Sequence, residues 1–580
     1  MSSSSLVSSL MALQLLSRGA TFLLNQALFR LASPAAFGAA SIQLELLLGT
    51  ILFLSREGVR GALLRRGNAS NKEKIKRTDP STTMNLAFLP LIAGIPLALF
   101  TTLLYTTYTA SQEIRAQPHF KTAVALYAGA AVVELLSEPF YNVAMTELKT
   151  GVRLRAEGLG ITAKSITTFL VLFYDATTGS GSLALPAFAF GQLAYALVLL
   201  GVYAVYFGPG RLIPKTQTSS ESRSRSTLFN YIDTETLRLS YTMTLQSLVK
   251  HVLTEGDKLV LSYFSPLQDQ GGYAIAVNYG SLIARIVFQP IEETVRVFFS
   301  KNFGSSSPFP SSTLRSASKT LHTLLSLQLT LSSIFLVFAS TYAPLLLPLL
   351  LPPAYHATSA PRVLAAWVWY IPVLAVNGGL EAFMASVASA QELNSQSRWM
   401  VAFSFLYILS AITLYRTGFG DTALVYANIL NLSARIVYTL RFASRFFDAQ
   451  ESASIAASKS TPTSKYDTPS VTPSPSSQTQ AQLFNWRTTL PPLSLLTVLA
   501  ISAVVIRLSA RRLGLDISVS SRSNSLPGGK LALLLSPPVL IHIALGGALG
   551  LLCLFTWWRS TGRDLVASFT DARKVKSKAA

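Results

Sequence analysis

The 281–300 segment carries charged and amide side chains inside an apolar stretch that is long enough to cross a membrane. Arg285, Gln289, Glu292 and Arg296 follow i, i+4, i+7 and i+11 spacing, which predicts that they share one face of a helix. Ionisable side chains at membrane depth are costly and usually face a bundle interior or a wet cavity. Arginine stays ionised when buried and pairs bidentately with phosphate oxygens. The chemistry that this face favours is therefore the binding of an anion.

Four other apolar stretches carry polar stripes with helical spacing, near residues 14–25, 43–57, 250–258 and 428–435. Basic residues outnumber the acidic ones that we place beside them, which favours an anionic ligand. The predicted substrate-binding residues are Arg18, Arg56, Glu255, Lys258, Arg285, Gln289, Glu292, Glu293 and Arg435.

Several of these residues also have a structural interpretation. Arg56 lies at a predicted membrane edge, where arginine commonly extends to the headgroups. Glu255 and Lys258 are spaced i, i+3 and can neutralise each other on one helix. Arg285 can form an ion pair with Glu292 or Glu293, so binding and structural roles both remain open at this stage.

The sequence contains no catalytic motif of the GxSxG, Walker or HExxH type. Its single cysteine, Cys553, excludes a disulfide within the chain, and five scattered histidines make metal chemistry improbable on spacing alone. We therefore predict a protein that is not an enzyme and that needs no cofactor or metal. The net charge of +21 lies mostly in predicted loops, where it orients membrane helices, so we predict no nucleic-acid partner.

The composition predicts an all-α polytopic membrane protein. Of 580 residues, 50% are hydrophobic and only 13% are charged, against about 25% charged in typical globular domains. The first apolar stretch is too long for a signal peptide and lacks a basic start, so we expect it to remain as a span. Hydropathy predicts about fourteen transmembrane helices, at 10–32, 39–62, 83–109, 120–146, 155–175, 184–207, 239–264, 272–299, 317–343, 361–389, 398–415, 421–446, 489–507 and 532–558.

These helices fall into two six-helix bundles plus two C-terminal helices. The predicted parts are a bundle at 1–213, a cytosolic linker at 214–238, a second bundle at 239–447, a disordered Ser/Thr/Pro linker at 448–488, two extra helices at 489–558 and a basic tail at 559–580. Lysine and arginine concentrate in alternate loops, which predicts that both termini are cytosolic. Lys576 and Lys578, near the end, resemble a dilysine signal for retrieval to the endoplasmic reticulum.

Five sequence blocks resemble a known family. They are Phe53-Leu-Ser-Arg-Glu-Gly-Val-Arg60, Glu134-Leu-Leu-Ser-Glu-Pro-Phe-Tyr141, Leu253-Thr-Glu-Gly-Asp-Lys258, Phe288-Gln-Pro-Ile-Glu-Glu293 and Asn377-Gly-Gly-Leu-Glu381. In this order and spacing the chain resembles the eukaryotic oligosaccharide translocation proteins of the endoplasmic reticulum. That family belongs to the multidrug/oligosaccharidyl-lipid/polysaccharide flippase superfamily.

The resemblance implies a multi-pass protein of the endoplasmic reticulum membrane that moves dolichyl-diphosphate-linked oligomannose from the cytosolic to the lumenal leaflet. We expect alternating access around a basic cavity, with the dolichyl chain in membrane lipid. Other enzymes of N-glycan assembly are further candidate partners. Two alternatives stay open: a non-transporting organiser of lipid-linked oligosaccharide synthesis, and a cation-coupled exporter of small amphipathic molecules, which would present unpaired acidic residues in its spans.

Overall fold

The computed structural model describes residues 24, 26–72, 85–147, 149–179, 181–208, 234–303, 309–459, 484–514 and 535–563, and these are helical with short connections. Twelve helices in this part of the chain are long and apolar enough to cross a membrane. They are α1 (Pro34–Leu63), α2 (Leu86–Thr109), α3 (Phe120–Thr146), α4 (Thr150–Thr178), α5 (Ala184–Phe207), α8 (Leu267–Ser300), α9 (Ser311–Leu347), α10 (Ala360–Val387), α11 (Gln391–Phe419), α12 (Thr422–Ala453), α13 (Leu493–Arg512) and α14 (Pro537–Gly562). The predicted all-α membrane fold is confirmed.

The two remaining predicted spans have different outcomes. Residues 10–23 and 25 of the 10–32 span lie outside the described residues, and 26–31 are helical. The 239–264 span consists of two helices, α6 (Thr234–Thr254) and α7 (Gly256–Phe264), separated at Glu255. The count of fourteen membrane helices therefore stays a prediction.

The helix that follows the second predicted bundle is longer than the sequence suggested. The helix that contains α12 continues to Lys459, whereas the predicted disordered linker begins at residue 448. Alanine and glutamate within 448–459 favour helix, which explains this difference. The 460–483 part of the predicted linker lies outside the described residues.

The described chain divides into two compact units. The first contains residues 1–275 and 357–360, and the second contains 276–356 and 361–580. In the first unit, α1 packs against α6 and α2, and α5 packs against α4 and α3. Phe140, Tyr203 and Ala156 form the centre of an apolar cluster that joins α3, α4 and α5. The predicted limits of the two six-helix bundles stay a prediction.

In the second unit, a group of phenylalanines joins α8, α10 and α12. Phe383 lies edge-on to Phe299, with ring centroids 4.8 Å apart, and stacks on Phe447 at 5.6 Å. The two C-terminal helices pack on α9, where Leu495 and Cys553 are buried against its apolar side chains. Burial of this aromatic and aliphatic surface fixes the helices that carry the charged residues described next.

Candidate functional site

The first charged cluster joins α1 to α3. Arg56 Nη1 lies 2.6 Å from Glu134 Oε1 and 3.4 Å from Glu138 Oε1. Arg60 Nη2 lies 2.5 Å from Glu138 Oε1, and its Nε donates to Glu138 Oε2 at 2.8 Å. The guanidinium of Arg60 also covers the ring of Tyr141 at 3.7 Å from the centroid. We call these four charged residues the arginine–glutamate cluster; it contains two positive and two negative charges.

The local structure of α3 explains how both glutamates reach α1. The helix is interrupted at Ser137, whose hydroxyl donates to the Glu134 carbonyl at 2.6 Å. Pro139 lies in the first turn of the next helical segment. Backbone N–H groups in the first turn have no intrahelical acceptor, so proline is tolerated there. The Glu138 side chain is fully buried. Two of the family-like sequence blocks therefore pack directly against each other.

A second charged group in the first unit contains the predicted residues Glu255 and Lys258. Lys258 Nζ lies 2.8 Å from Glu255 Oε2, which is the self-neutralising pair that the i, i+3 spacing allows. Lys164 Nζ lies 3.1 Å from Glu45 Oε1, and Lys258 also interacts electrostatically with Glu45. The side chains of Glu255 and Lys258 remain about one-quarter exposed.

A third group lies in the second unit and contains Arg435, which donates to Glu381 Oε1 through Nε at 2.7 Å and pairs with it through Nη2 at 2.5 Å. Glu292 on α8 lies against Gly378, where a Cβ atom would collide with its carboxylate. Glu292 and Glu381 are close enough to repel each other electrostatically. Helices α8, α10 and α12 thus bring two carboxylates and one guanidinium together.

Arg285 lies on a π-helical turn, Ala284–Phe288, within α8. Its exposed Nη2 donates to the Asn278 carbonyl at 3.1 Å and to Ser281 Oγ at 3.0 Å, both on the same helix. A π-helical turn accommodates about one extra residue, which rotates the following side chains by roughly 100° relative to a continuous α-helix. The predicted single face from Arg285 to Glu292 is therefore interrupted.

The remaining predicted site residues have simpler positions. Gln289 and Glu293 are exposed on α8. Arg18 lies outside the described residues. His251, on the polar stripe near 250–258, is buried; its Nε2 lies 2.9 Å from Thr50 Oγ1 and its ring stacks on Phe53, which is a structural role.

Sequence analysis predicted the Glu255–Lys258 pair but left out of the predicted site the carboxylates that pair with Arg56 and Arg435. Glu134 and Glu138 are spaced i, i+4 inside an apolar span, a signal equal to the one that identified Glu292. Glu381 ends a family-like block, and Glu45 belongs to the polar stripe near residues 43–57. With these acids included, the three groups no longer hold the excess of positive charge that the sequence suggested.

Comparison with known proteins identifies the family. The family model described as Rft protein, Rft-1, matches residues 2–558. The chain belongs to the Rft-1 family. This membership confirms the predicted resemblance.

Curated relatives are named Man(5)GlcNAc(2)-PP-dolichol translocation protein RFT1. The protein from Yarrowia lipolytica is 35% identical over 480 residues, covering 76% of this chain and 69% of that protein. The Saccharomyces cerevisiae protein is 30% identical and the Mus musculus protein is 29% identical, covering 75% and 76% of this chain and 82% of each relative.

Among solved structures, a lipid II flippase MurJ in an inward closed conformation superposes with a TM-score of 0.56 at 14% identity, covering 94% of this chain and 99% of that chain. At that identity the likeness shows a shared fold. It agrees with the helical membrane architecture described above.

Proposed function

We propose that this protein translocates dolichyl-diphosphate-linked oligomannose across the membrane of the endoplasmic reticulum during N-glycan assembly. The observation that carries the proposal is membership of the Rft-1 family, with relatives in yeasts and mouse that are named as translocation proteins for this class of lipid and that match about three-quarters of the chain. A flippase fold supports it. The reaction is transport without catalysis, and access to the two leaflets alternates.

The exposure of each ion pair ranks the bases that could bind the diphosphate. A charged ligand must displace the carboxylate that a base already contacts. Arg56 contacts Glu134 and Glu138, whose side chains are 6% and 0% exposed, so it is held in place by acids that water does not reach. Lys258 and Arg435 contact partners that are 21% and 26% exposed. We assign ligand contact to Lys258, Arg435 and the exposed Arg285, and structural support to Arg56.

Reconstitution tests the transport role. The purified full chain is placed in liposomes that contain labelled lipid-linked oligosaccharide, and the fraction of label reachable by an impermeant glycosidase is followed over time. Transport predicts that the reachable fraction rises well above that of protein-free liposomes. An unchanged fraction would favour the organiser, and transport of small amphipathic cations driven by an ion gradient would favour the exporter.

The same assay tests the assigned residues. Lys258→Ala and Arg435→Ala should slow translocation, while Glu157→Ala, which breaks a pair on α4 that is about one-third exposed, should not. In cells that lack the native copy, Arg285→Ala should reduce glycosylation of secreted proteins. Normal glycosylation at a normal protein level would remove Arg285 from the binding site.

We further propose that both termini face the cytosol. The alternation of basic loops supports this orientation. A glycosylation acceptor sequence added at either terminus should stay unmodified, because modification takes place in the lumen. Modification at either end would overturn the orientation.

A further inference from the structure

A groove between α4 and α5 combines apolar walls with a basic residue. Its volume is about 510 Å³, and its lining consists of Val152, Arg155, Gly201, Val202, Val205 and Tyr206. Val205 is 88% exposed, as expected for a surface that faces hydrocarbon. Neither the family comparison nor the charged groups described above account for this groove.

Arg155 is the distinctive residue of the groove. It lies five residues after the first residue of α4, roughly 7.5 Å along the helix axis at 1.5 Å per residue. Among the described residues, Arg155 has no ion-pair or hydrogen-bond partner. The neighbouring Arg153, by contrast, donates to Glu157 Oε1 at 2.7 Å. A guanidinium at this depth next to apolar walls is suited to an anion supplied by the membrane itself.

The surroundings of the groove are typical of a membrane interface. Tyr206 is half exposed near the end of α5, where tyrosines commonly sit at headgroup level. Lys149 precedes α4, and its Nζ lies 5.4 Å from the centroid of the Tyr206 ring. The same Nζ lies 2.8 Å from Glu147 Oε2, so this pair adds no net charge and Arg155 supplies the positive charge of the groove. Basic pockets between membrane helices on the cytosolic side bind anionic lipid headgroups, and charge distribution predicts that this end is cytosolic.

We propose that this groove binds an anionic phospholipid. Its phosphate contacts Arg155, and one acyl chain lies along Val152, Val202 and Val205. Gly201 leaves the groove open at its own position, where an added Cβ atom would meet no other atom within 4 Å. The site is separate from the proposed substrate contacts, so its test does not depend on translocation.

Native mass spectrometry of the purified full chain measures the proposed binding directly. Micelles are supplied with phosphatidylserine or phosphatidylcholine, and the number of retained lipids is counted. Retention of phosphatidylserine should exceed that of phosphatidylcholine. Arg155→Ala should raise the concentration needed for half occupancy about tenfold, which corresponds to the loss of one charge-assisted hydrogen bond. Arg155→Lys should restore part of the binding, and Arg398→Ala, which removes an exposed arginine on α11, should have no effect.

The acyl-chain part of the proposal has its own variants. Gly201→Leu fills the groove from an open position and should abolish retention, whereas Gly129→Leu, also at an open and exposed helical position, should not. Leucine is a better helix former than glycine, so both variants are expected to fold. Equal retention of the two lipids, or no effect of Arg155→Ala on retention, would overturn the proposal. It would also be overturned if Gly201→Leu caused the loss of a bound second copy of the chain and not of lipid.

Discussion

Replacing Glu138 by alanine tests the arginine–glutamate cluster most directly. The change removes every ion-pair contact that Arg60 makes with this buried carboxylate, while Arg56 keeps Glu134 at 2.6 Å. Breaking a buried ion pair by removing one partner costs about 3–5 kcal/mol, because the remaining charge is left without compensation. We expect Glu138→Ala to lower the free energy of unfolding by that amount.

A double-mutant cycle separates the pair from its surroundings. The cycle compares Arg60→Met, Glu138→Met and the double variant with the unchanged protein. The double variant removes both charges and keeps apolar volume, so its loss of stability should be under about 2 kcal/mol. The coupling energy between the two positions should then be about 2 kcal/mol or more. Unfolding of the purified protein in mixed detergent micelles, followed by circular dichroism, gives each free energy.

The matched control is the Arg153–Glu157 pair on α4. Both side chains are more than one-third exposed and lie i, i+4 on one helix, so Glu157→Ala should cost about 0.5 kcal/mol or less. A cost under about 1 kcal/mol for Glu138→Ala, or additive single mutants, would refute the reasoning. It would mean that the Arg60 side chain reaches headgroups or water once Glu138 is gone.

Three further predictions address other contacts. Gly378→Ala should lower the free energy of unfolding by about 1–3 kcal/mol, because the added Cβ collides with the Glu292 carboxylate. Adding Glu292→Ala should relieve that cost, and Gly547→Ala, at a position with open space, should be neutral or stabilising. Tyr342→Phe should cost about 0.5–1.5 kcal/mol by removing the 2.6 Å hydrogen bond to the His542 carbonyl, and Tyr263→Phe at an 83% exposed site should cost nothing measurable. Glu381→Gln should strengthen binding of a farnesyl diphosphate probe several-fold by releasing Arg435, and Arg435→Met should weaken it, as measured by calorimetry; shifts in the same direction would contradict the assignment of Arg435.

The helices were predictable because membrane-spanning segments have a strong local signal. Most predicted limits lie within a few residues of the structure, as at 120–146 for α3 and 184–207 for α5. Local sequence also predicted the Glu255–Lys258 pair, since the two residues are three positions apart on one chain segment. The interruption at Glu255 was not predicted, because hydropathy averages over a window and does not resolve a single break.

The partners of the predicted bases depend on packing between distant helices. Arg56 and Glu134 are separated by 78 positions, and no local pattern specifies which faces of α1 and α3 meet. The π-helical turn at Ala284–Phe288 was also not predicted, because one inserted residue changes the rotation of a helix without changing its hydropathy. Sequence therefore located charged residues inside the apolar helices, and most of their ion-pair partners became evident only from the packing of the helices.

The separation of the arginine–glutamate cluster along the chain has a consequence for biogenesis. The two arginines are synthesised 78 residues before the glutamates that neutralise them. At about 5–20 residues per second, that interval is roughly 4–16 s. During this time the arginine-bearing end of α1 has neither of these carboxylates to pair with. Newly made α1 therefore needs a wet or headgroup-rich environment, or a chaperone of membrane insertion, until α3 arrives and completes the pairing.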